Sequence, residues 1–361
     1  MPSPDVTPRP LPPRARVQRQ VMRTVFRLPT ALKRRLAGAP ISIDGQTLAL
    51  DAQLMAVLGR RTGTRMVVDA SPAASRKAME DGAPLLRGAP IPSVRSRDIT
   101  IPTGEQPLRA RLYQPGGRSG PGPLLVWFHG GGWVIGSIDS YDAVLRFLAH
   151  HSGTAILSVD YRLAPEHPHP AAWHDALAAF AWAREHAGEL DADPSRIAVG
   201  GDSAGAHLSA VLCQTLAERG GPGPVHQVLF YPAADLTTRH PSRSLFAEGF
   251  VLTDAEIEWF KEQYAPGADH SDPALSPLLA EVHPDTAPAT VTTAGFDPLR
   301  DEGEAFAGHL KAARVPVTLH READLVHGYL NFYALSRRFD TAAKAAAARI
   351  REALHPALER S

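Results

Sequence analysis

The clearest pattern along the chain is a series of short runs in which nearly every position is apolar. Strands that are apolar on both faces are typical of a parallel sheet that helices cover on both sides. Longer segments with apolar residues at helical spacing, such as 171–187, separate the runs. We therefore predict a doubly wound α/β sheet of about eight strands. The apolar runs occupy residues 124–128, 155–159, 197–199, 225–230, 289–293 and 317–319.

Two segments ahead of these runs have a different pattern. Residues 96–101 and 108–112 alternate apolar and polar side chains, which predicts an antiparallel pair of strands with one solvated face. Everything before about residue 95 shows helical patterns and no strand pattern, including a helix that Ser71 caps ahead of Pro72. After residue 235 a helical insertion interrupts the sheet and contains a capping box, Thr253-Asp254-Ala255-Glu256.

These patterns divide the chain into an interrupted core and two helical parts. Residues 1–95 are predicted to form an N-terminal helical cap segment, in which 1–16, rich in proline and arginine, is expected to be disordered. Residues 96–235 and 288–361 form the core, and 236–287 form a helical cap insertion. Ligands bind at the carboxyl ends of the strands in open sheets, so the two helical parts are expected to form a lid there.

Composition excludes several kinds of partner. Lys and Arg number 38 and Asp and Glu number 38 among 361 residues, so charge does not favour nucleic acid. No stretch has the ~18 apolar residues of a membrane span, and the N-terminus does not resemble a signal peptide. The single cysteine, Cys213, excludes an intramolecular disulfide. We expect a cytoplasmic protein. The basic amphipathic helix at 17–28 is expected to pack on the body of the protein, and contact with an anionic membrane stays open as the alternative.

The first chemical motif follows the run at 197–199. In Gly201-Asp202-Ser203-Ala204-Gly205, a serine stands between small residues where a strand meets a helix. A nucleophile elbow needs little bulk two residues before and two after the serine, because strand and helix approach closely there. Glycine and serine are also common in loops without chemistry. This motif alone therefore leaves both a catalytic serine and a plain turn open.

A second motif, His129-Gly130-Gly131-Gly132-Trp133, follows the run at 124–128. Successive glycines allow backbone N–H groups to turn toward a bound oxygen, as an oxyanion hole requires. The chain has no Gly-Lys dipeptide of a phosphate-binding loop, and the motif lacks G-x-G-x-x-G spacing. The histidines form no H-E-x-x-H zinc motif. Hydrolysis without a metal or a cofactor is the chemistry that these motifs favour.

With three further segments, the two motifs resemble the hormone-sensitive-lipase-like branch of the α/β hydrolases, which contains many microbial carboxylesterases. The similarity runs from about residue 96 to the C-terminus. It implies the α/β-hydrolase fold, a mostly parallel eight-stranded sheet with helices on both faces and a helical cap. The further segments are Asp160-Tyr161-Arg162-Leu163-Ala164-Pro165-Glu166-His167-Pro168, Asp297-Pro298-Leu299-Arg300-Asp301-Glu302-Gly303 and His327-Gly328-Tyr329.

The resemblance assigns a catalytic triad of Ser203, Asp297 and His327. Their order in the chain, nucleophile, acid and base, is the one expected for this fold. Asp297 and His327 follow the runs at 289–293 and 317–319, so both are expected on loops at the carboxyl ends of strands. Asp301, in the same motif as Asp297, is an alternative acid.

The oxyanion of the reaction would be bound by backbone N–H groups. The resemblance and the glycine loop assign this role to Gly131, Gly132 and Ala204, the last being the residue after the nucleophile. Trp133 is expected to line the substrate pocket.

These assignments predict a carboxylic-ester hydrolase that forms an acyl-enzyme, and the resemblance implies small-molecule esters of short to medium acyl chain length. An amidase or deacetylase would use the same triad. A non-catalytic small-molecule binding protein is a third reading, because the plant gibberellin receptors share the fold but lack the triad histidine, which His327 supplies here. No cofactor is expected, and a homodimer through the insertion helices stays open.

Overall fold

The computed structural model describes residues 5–6, 11–104, 106–117 and 120–355. Within these residues the strands are β1 (Ser42–Ile43), β2 (Gln46–Thr47), β3 (Val94–Ile101), β4 (Leu108–Pro115), β5 (Gly122–Phe128), β6 (Ala155–Asp160), β7 (Ala192–Asp202), β8 (Gln227–Phe230), β9 (Ala289–Phe296) and β10 (Val317–Val326). The helices are α1 (Pro13–Phe26), α2 (Thr30–Ala37), α3 (Leu50–Thr62), α4 (Pro72–Leu86), α5 (Asp142–Ser152), α6 (Ala171–Glu185), α7 (Ala204–Glu218), α8 (Pro241–Leu245), α9 (Asp254–Tyr264), α10 (Arg300–Ala312) and α11 (Arg337–Leu354).

The predicted mostly parallel sheet is confirmed. Eight strands follow one another in the order β10-β9-β8-β7-β5-β6-β4-β3. All neighbours from β10 to β6 are parallel, whereas β4 pairs antiparallel with both β6 and β3. Because β7, β9 and β10 run in the same direction, their carboxyl ends lie along one edge of the sheet, where ligands bind in folds of this kind.

Helices cover both faces of this sheet, which explains the continuous apolar runs. Every residue of β5 and of β9 is buried, because side chains pointing to either face meet a helix. On one face, Phe180 of α6 and Leu208 of α7 belong to the cluster that packs on the sheet. On the other face, Leu148 of α5 and Phe339 of α11 do so.

The N-terminal part differs from the sequence pattern in two details. Of residues 1–16, expected to be disordered, 1–4 and 7–10 lie outside the described residues, while α1 already begins at Pro13. The hairpin of β1 and β2 was not predicted, because strands of two residues are too short to show a period. As predicted, Ser71 caps α4, its side chain accepting a hydrogen bond from the Ala74 N–H.

Hydrogen bonds connect the N-terminal helical segment to the helical insertion at the start of α9. The predicted capping box is present, since the Thr253 side chain accepts from the Glu256 N–H and the Glu256 side chain accepts from the Thr253 N–H. The other carboxylate oxygen of Glu256 accepts from the N–H groups of Met66 and Val67, at 3.1 and 3.3 Å. One buried carboxylate therefore ties the loop after α3 to the insertion.

Candidate active site

The sharp turn between β7 and α7 holds Ser203 in a strained backbone conformation. Its φ of 54° and ψ of −120° are unusual for any residue but glycine. A Cβ atom on Gly201 or Gly205 would collide with the carbonyl oxygen of Phe128 on the neighbouring strand. The two small residues are therefore needed to bring strand and helix close enough to expose the serine.

The structure brings the three predicted triad residues together. His327 Nε2 lies 3.0 Å from Ser203 Oγ, and His327 Nδ1 lies 2.7 Å from Asp297 Oδ2. Asp297 is fully buried, and its other oxygen accepts from the Leu299 N–H at 2.9 Å. A neutral imidazole with its Nδ1–H on a carboxylate presents Nε2 as an acceptor to the serine hydroxyl.

The alternative acid, Asp301, has other partners. One of its oxygens accepts from the Ser242 N–H at 2.8 Å, and the other accepts from Arg300 Nε at 2.7 Å. The structure thus joins His327 to Asp297, which directly follows β9, while Asp301 anchors the segment around α8.

The glycine loop presents free backbone groups beside Ser203. Gly131 and Gly132 have φ values of 119° and 58°, a region that favours glycine. Within the described ranges, neither donates its N–H to another residue. Ala204 is the first residue of α7, so its N–H has no partner inside the helix. All three residues the sequence assigned to an oxyanion hole therefore have unused donors at this edge.

Buried polar side chains brace this loop. His129 donates from Nδ1 to the Gly130 carbonyl at 2.8 Å and stacks on Tyr161, and burial lowers the pKa of His129 to about 4. Asp202 accepts from the Gly130 N–H at 3.0 Å and from the Tyr141 hydroxyl at 2.9 Å. Burial raises the pKa of Asp202 to about 6. Asp202, the residue before Ser203, thus holds the glycine loop against the turn between β7 and α7.

A cleft of about 480 Å³, open solvent included, contains Ser203 and His327. Trp133 lines it as predicted, stacked face to face on Tyr264 of α9 at 4.4 Å. Sequence reasoning did not assign several lining residues to the cleft, because the local pattern does not show which side chains of a loop or helix face it. These residues are Met66, Asp235, Arg243, Lys261 and Glu302.

Two further observations concern the described part of the chain. No three His, Cys, Asp or Glu side chains in it are grouped so that they could hold a metal ion. Among its helices, none is long and apolar enough to cross a membrane.

Comparison with a family model places the site in a class. The model of the alpha/beta hydrolase fold matches residues 125–331, more than half of the chain, and that range includes Ser203, Asp297 and His327. The fold and the site therefore define an α/β hydrolase.

Known relatives specify the branch. The chain is 47% identical over 317 residues to the carboxylic ester hydrolase LipN of Mycobacterium tuberculosis, which covers 85% of this chain and 84% of that protein. It is 37% identical over 272 residues to an ethyl acetate hydrolase of Pseudomonas putida, covering 74% and 85%. The solved structure of the ester hydrolase EH1AB1 from the Lake Arreo metagenome matches with a TM-score of 0.80 and 38% identity, covering 84% and 98%. The chain belongs to the hormone-sensitive-lipase-like carboxylesterase family of α/β hydrolases.

Proposed function

We propose that this protein hydrolyses carboxylic esters of short to medium acyl chain length through an acyl-enzyme on Ser203. The observation that carries the proposal is the continuous hydrogen-bonded series from Ser203 through His327 to Asp297. Relatives named carboxylic ester hydrolase and ethyl acetate hydrolase support the reaction type.

In the first half-reaction, His327 Nε2 takes the Ser203 proton as Oγ attacks the ester carbonyl carbon. The tetrahedral intermediate collapses when His327 returns that proton to the departing alcohol, which leaves an ester between Ser203 and the acyl group. In the second half-reaction, His327 takes a proton from water as the water oxygen attacks the acyl carbon, and it returns that proton to Ser203 Oγ as the carboxylic acid leaves. Asp297 holds the imidazole in the required tautomer and stabilises its charged form.

The negative charge on the former carbonyl oxygen needs donors that are in place before the reaction. The N–H groups of Gly131, Gly132 and Ala204 fit this role, because none of them donates to another residue that the structure describes and the loop lies beside Ser203. The braces on the glycine loop from His129 and Asp202 support it, since preorganised donors cost no rearrangement during the reaction.

The lining of the cleft supports the short to medium chain length that the family resemblance implies. Apolar side chains of Met66, Leu252, Ile257 and Phe260 line it from the cap, opposite the chemistry that the core supplies. The Phe260 ring lies so close to Gly132 that a Cβ there would collide with it. A cleft confined in this way suits a short or medium chain better than a long one.

Hydrolysis of p-nitrophenyl esters from acetate to palmitate tests the proposal. The purified protein should be fastest on a short or medium ester, and Ser203→Ala should lose about 10⁶-fold in turnover. Ser195→Ala, an exposed serine on the same strand, serves as the matched control and should keep full activity. Equal inertness of the wild type and Ser203→Ala on every ester would contradict the proposal, and hydrolysis of matched anilides alone would favour an amidase.

A further inference from the structure

Part of the cleft wall is charged rather than apolar. Arg243 of α8, Lys261 of α9 and Glu302 of α10 line the cleft that contains Ser203, and they are only 2%, 9% and 1% exposed. Burying such groups beside an alkyl chain costs free energy unless each finds a polar partner. The hydrogen-bonding capacity of these side chains therefore bears on which esters the cleft accepts.

Glu302 has one oxygen occupied and one free. Its Oε1 accepts from the Ala234 and Asp235 N–H groups at 2.8 and 3.4 Å, whereas its Oε2 is buried and has no partner among the described residues. Burial raises the pKa of Glu302 to about 8. At neutral pH the carboxyl is therefore mostly protonated, and the proton belongs on Oε2 because Oε1 already accepts two hydrogen bonds.

Arg243 is held rigidly with one nitrogen left over. Its Nε donates to Asp254 at 2.8 Å, and its Nη2 donates to Asp254 at 2.5 Å and to Glu258 at 2.8 Å. No hydrogen bond joins Nη1 to another residue within the described ranges. The fixed guanidinium therefore offers a further N–H donor on the cleft wall.

The charges around this wall are balanced, which argues against a charged ligand group. Asp254 also pairs with Arg239, Glu258 also pairs with Lys261, and Asp235 accepts from Thr237, Thr238 and His240. With Glu302 neutral, three cations face three anions. The cations are Arg239, Arg243 and Lys261, and the anions are Asp235, Asp254 and Glu258.

We propose that Arg243 and Glu302 form a subsite for a hydroxyl group, so that the preferred substrates are esters whose chain carries a hydroxyl. The inference rests on the proposed ester hydrolysis and narrows its substrate class. A hydroxyl oxygen accepts from Arg243 Nη1–H or Glu302 Oε2–H, and its own hydrogen is donated to Oε2. A methyl group in that place would leave both protein groups unpaired, which is the basis on which polar pockets reject apolar analogues.

Matched pairs of esters test the subsite on the wild-type protein. Each hydroxyl ester is compared with the plain ester in which methyl replaces hydroxyl, for example ethyl 6-hydroxyhexanoate against ethyl heptanoate, with the hydroxyl position varied. A second set places the hydroxyl in the alcohol half, as acetates of short diols against acetates of plain alcohols. We expect kcat/KM to be at least about tenfold higher for the hydroxyl ester at one position in one of the two sets. An apolar pocket would instead give a higher kcat/KM for the plain ester at every position.

Two variants show whether Arg243 causes this preference. In Arg243→Met, Asp254 keeps Arg239 and Glu258 keeps Lys261, so neither acid is left unpaired. The ratio of kcat/KM for hydroxyl over plain ester should fall at least about tenfold. Ile257→Val, which changes the cleft without changing its polarity, should leave that ratio unchanged.

The outcomes separate this inference from the proposed function. Hydrolysis of plain esters with no preference for any hydroxyl position would overturn the subsite and leave ester hydrolysis standing. A preference for esters that end in a carboxylate or an amine would also overturn it, because the balanced charges argue against both. Failure to hydrolyse any ester would overturn both proposals.

Discussion

The carboxyl edge of the sheet and the helical cap above it are built in different ways. At the edge, Ser203, Asp297 and His327 each follow directly on a strand, so the backbone of the sheet places them. In the cap, the position of Met66 depends on a hydrogen bond to Glu256, which lies 190 residues further along the chain. The edge therefore positions the three candidate catalytic side chains through local backbone structure, and the cap shapes the cleft through long-range contacts.

This difference predicts that substitutions in the two regions have different effects. Changes at the edge should lower the rate for every ester, whereas changes in the cap should alter which esters are favoured and how stable the protein is. Four substitutions test the distinction, beginning with the largest effect.

Replacement of Asp297 should have the largest effect of the four. Asp297→Asn leaves the size of the side chain unchanged but no longer holds the His327 tautomer that accepts the Ser203 proton. We expect turnover to fall by about 10⁴ on every ester. Asp301→Asn is the control, because Asp301 bonds to Ser242 and Arg300 instead, and it should keep turnover near that of the wild type. A similar fall in turnover in both variants would contradict the assignment of Asp297 as the acid of the triad.

The glycine loop should show the next largest effect. In Gly131→Ala, the backbone at φ 119° is strained and the added Cβ collides with the Ile135 carbonyl, so the loop must shift. Displacing one oxyanion donor should lower turnover about 10²- to 10³-fold for all chain lengths. Gly104→Ala, in an open turn with nothing within 4 Å, is the matched control. A loss confined to KM would show that the loop binds substrate but does not stabilise the transition state.

The contact between α7 of the core and Leu275 of the cap insertion should stabilise the protein less at acidic pH. His207 of α7 donates to the Leu275 carbonyl at 3.1 Å and packs edge-on against Trp133. Burial lowers the pKa of His207 to about 3, so only the unfolded chain takes up its proton as the pH falls below about 6.5. This histidine therefore contributes stability above that pH and loses it on acidification.

Denaturant unfolding at pH 7 and pH 5 measures this effect. From pH 7 to pH 5, His207 should remove about 2 kcal/mol from the free energy of unfolding of the wild type. His207→Gln lacks this contribution, so the difference in stability between the wild type and the variant should shrink by that amount at pH 5. A constant difference would mean that His207 has the same pKa in the folded and the unfolded protein.

The smallest effect is expected within the cap. Glu256→Ala removes the capping box of α9 and the anchor of the Met66 loop together. We expect a loss of about 1 kcal/mol in stability and a fall of about fivefold in kcat/KM for the best medium-chain ester, with acetate affected least. Glu262→Ala, exposed on the same helix, is the matched control. An equal fall in kcat/KM for esters of every chain length would mean that Glu256 affects the reaction itself and not the choice of ester.

The sequence predicts the carboxyl edge of the sheet better than it predicts the helical cap. The sheet was predictable, because buried strands form unbroken apolar runs. The family resemblance pointed to Ser203, Asp297 and His327, and the structure brings these three side chains together. The caps at Ser71 and Thr253 were predictable as well, since each depends on residues within one helical turn.

The charged cleft wall could not be predicted in this way. Arg243 lies beside Glu302 because α8 of the insertion packs against the start of α10, and no local period reports such a contact. The hairpin of β1 and β2 was missed for a different reason, because strands of two residues are too short to show a period. Cytoplasmic location and a homodimer through the insertion stay predictions from the sequence.

The central claim is that Ser203 is the nucleophile, and covalent labelling tests it most directly. Diethyl p-nitrophenyl phosphate should transfer one diethylphosphoryl group to the protein, release one equivalent of p-nitrophenol and abolish ester hydrolysis. Peptide mass spectrometry should locate the group on Ser203, and Ser203→Ala should stay unlabelled. A label on a different residue, or full ester hydrolysis by protein labelled at Ser203, would contradict the account.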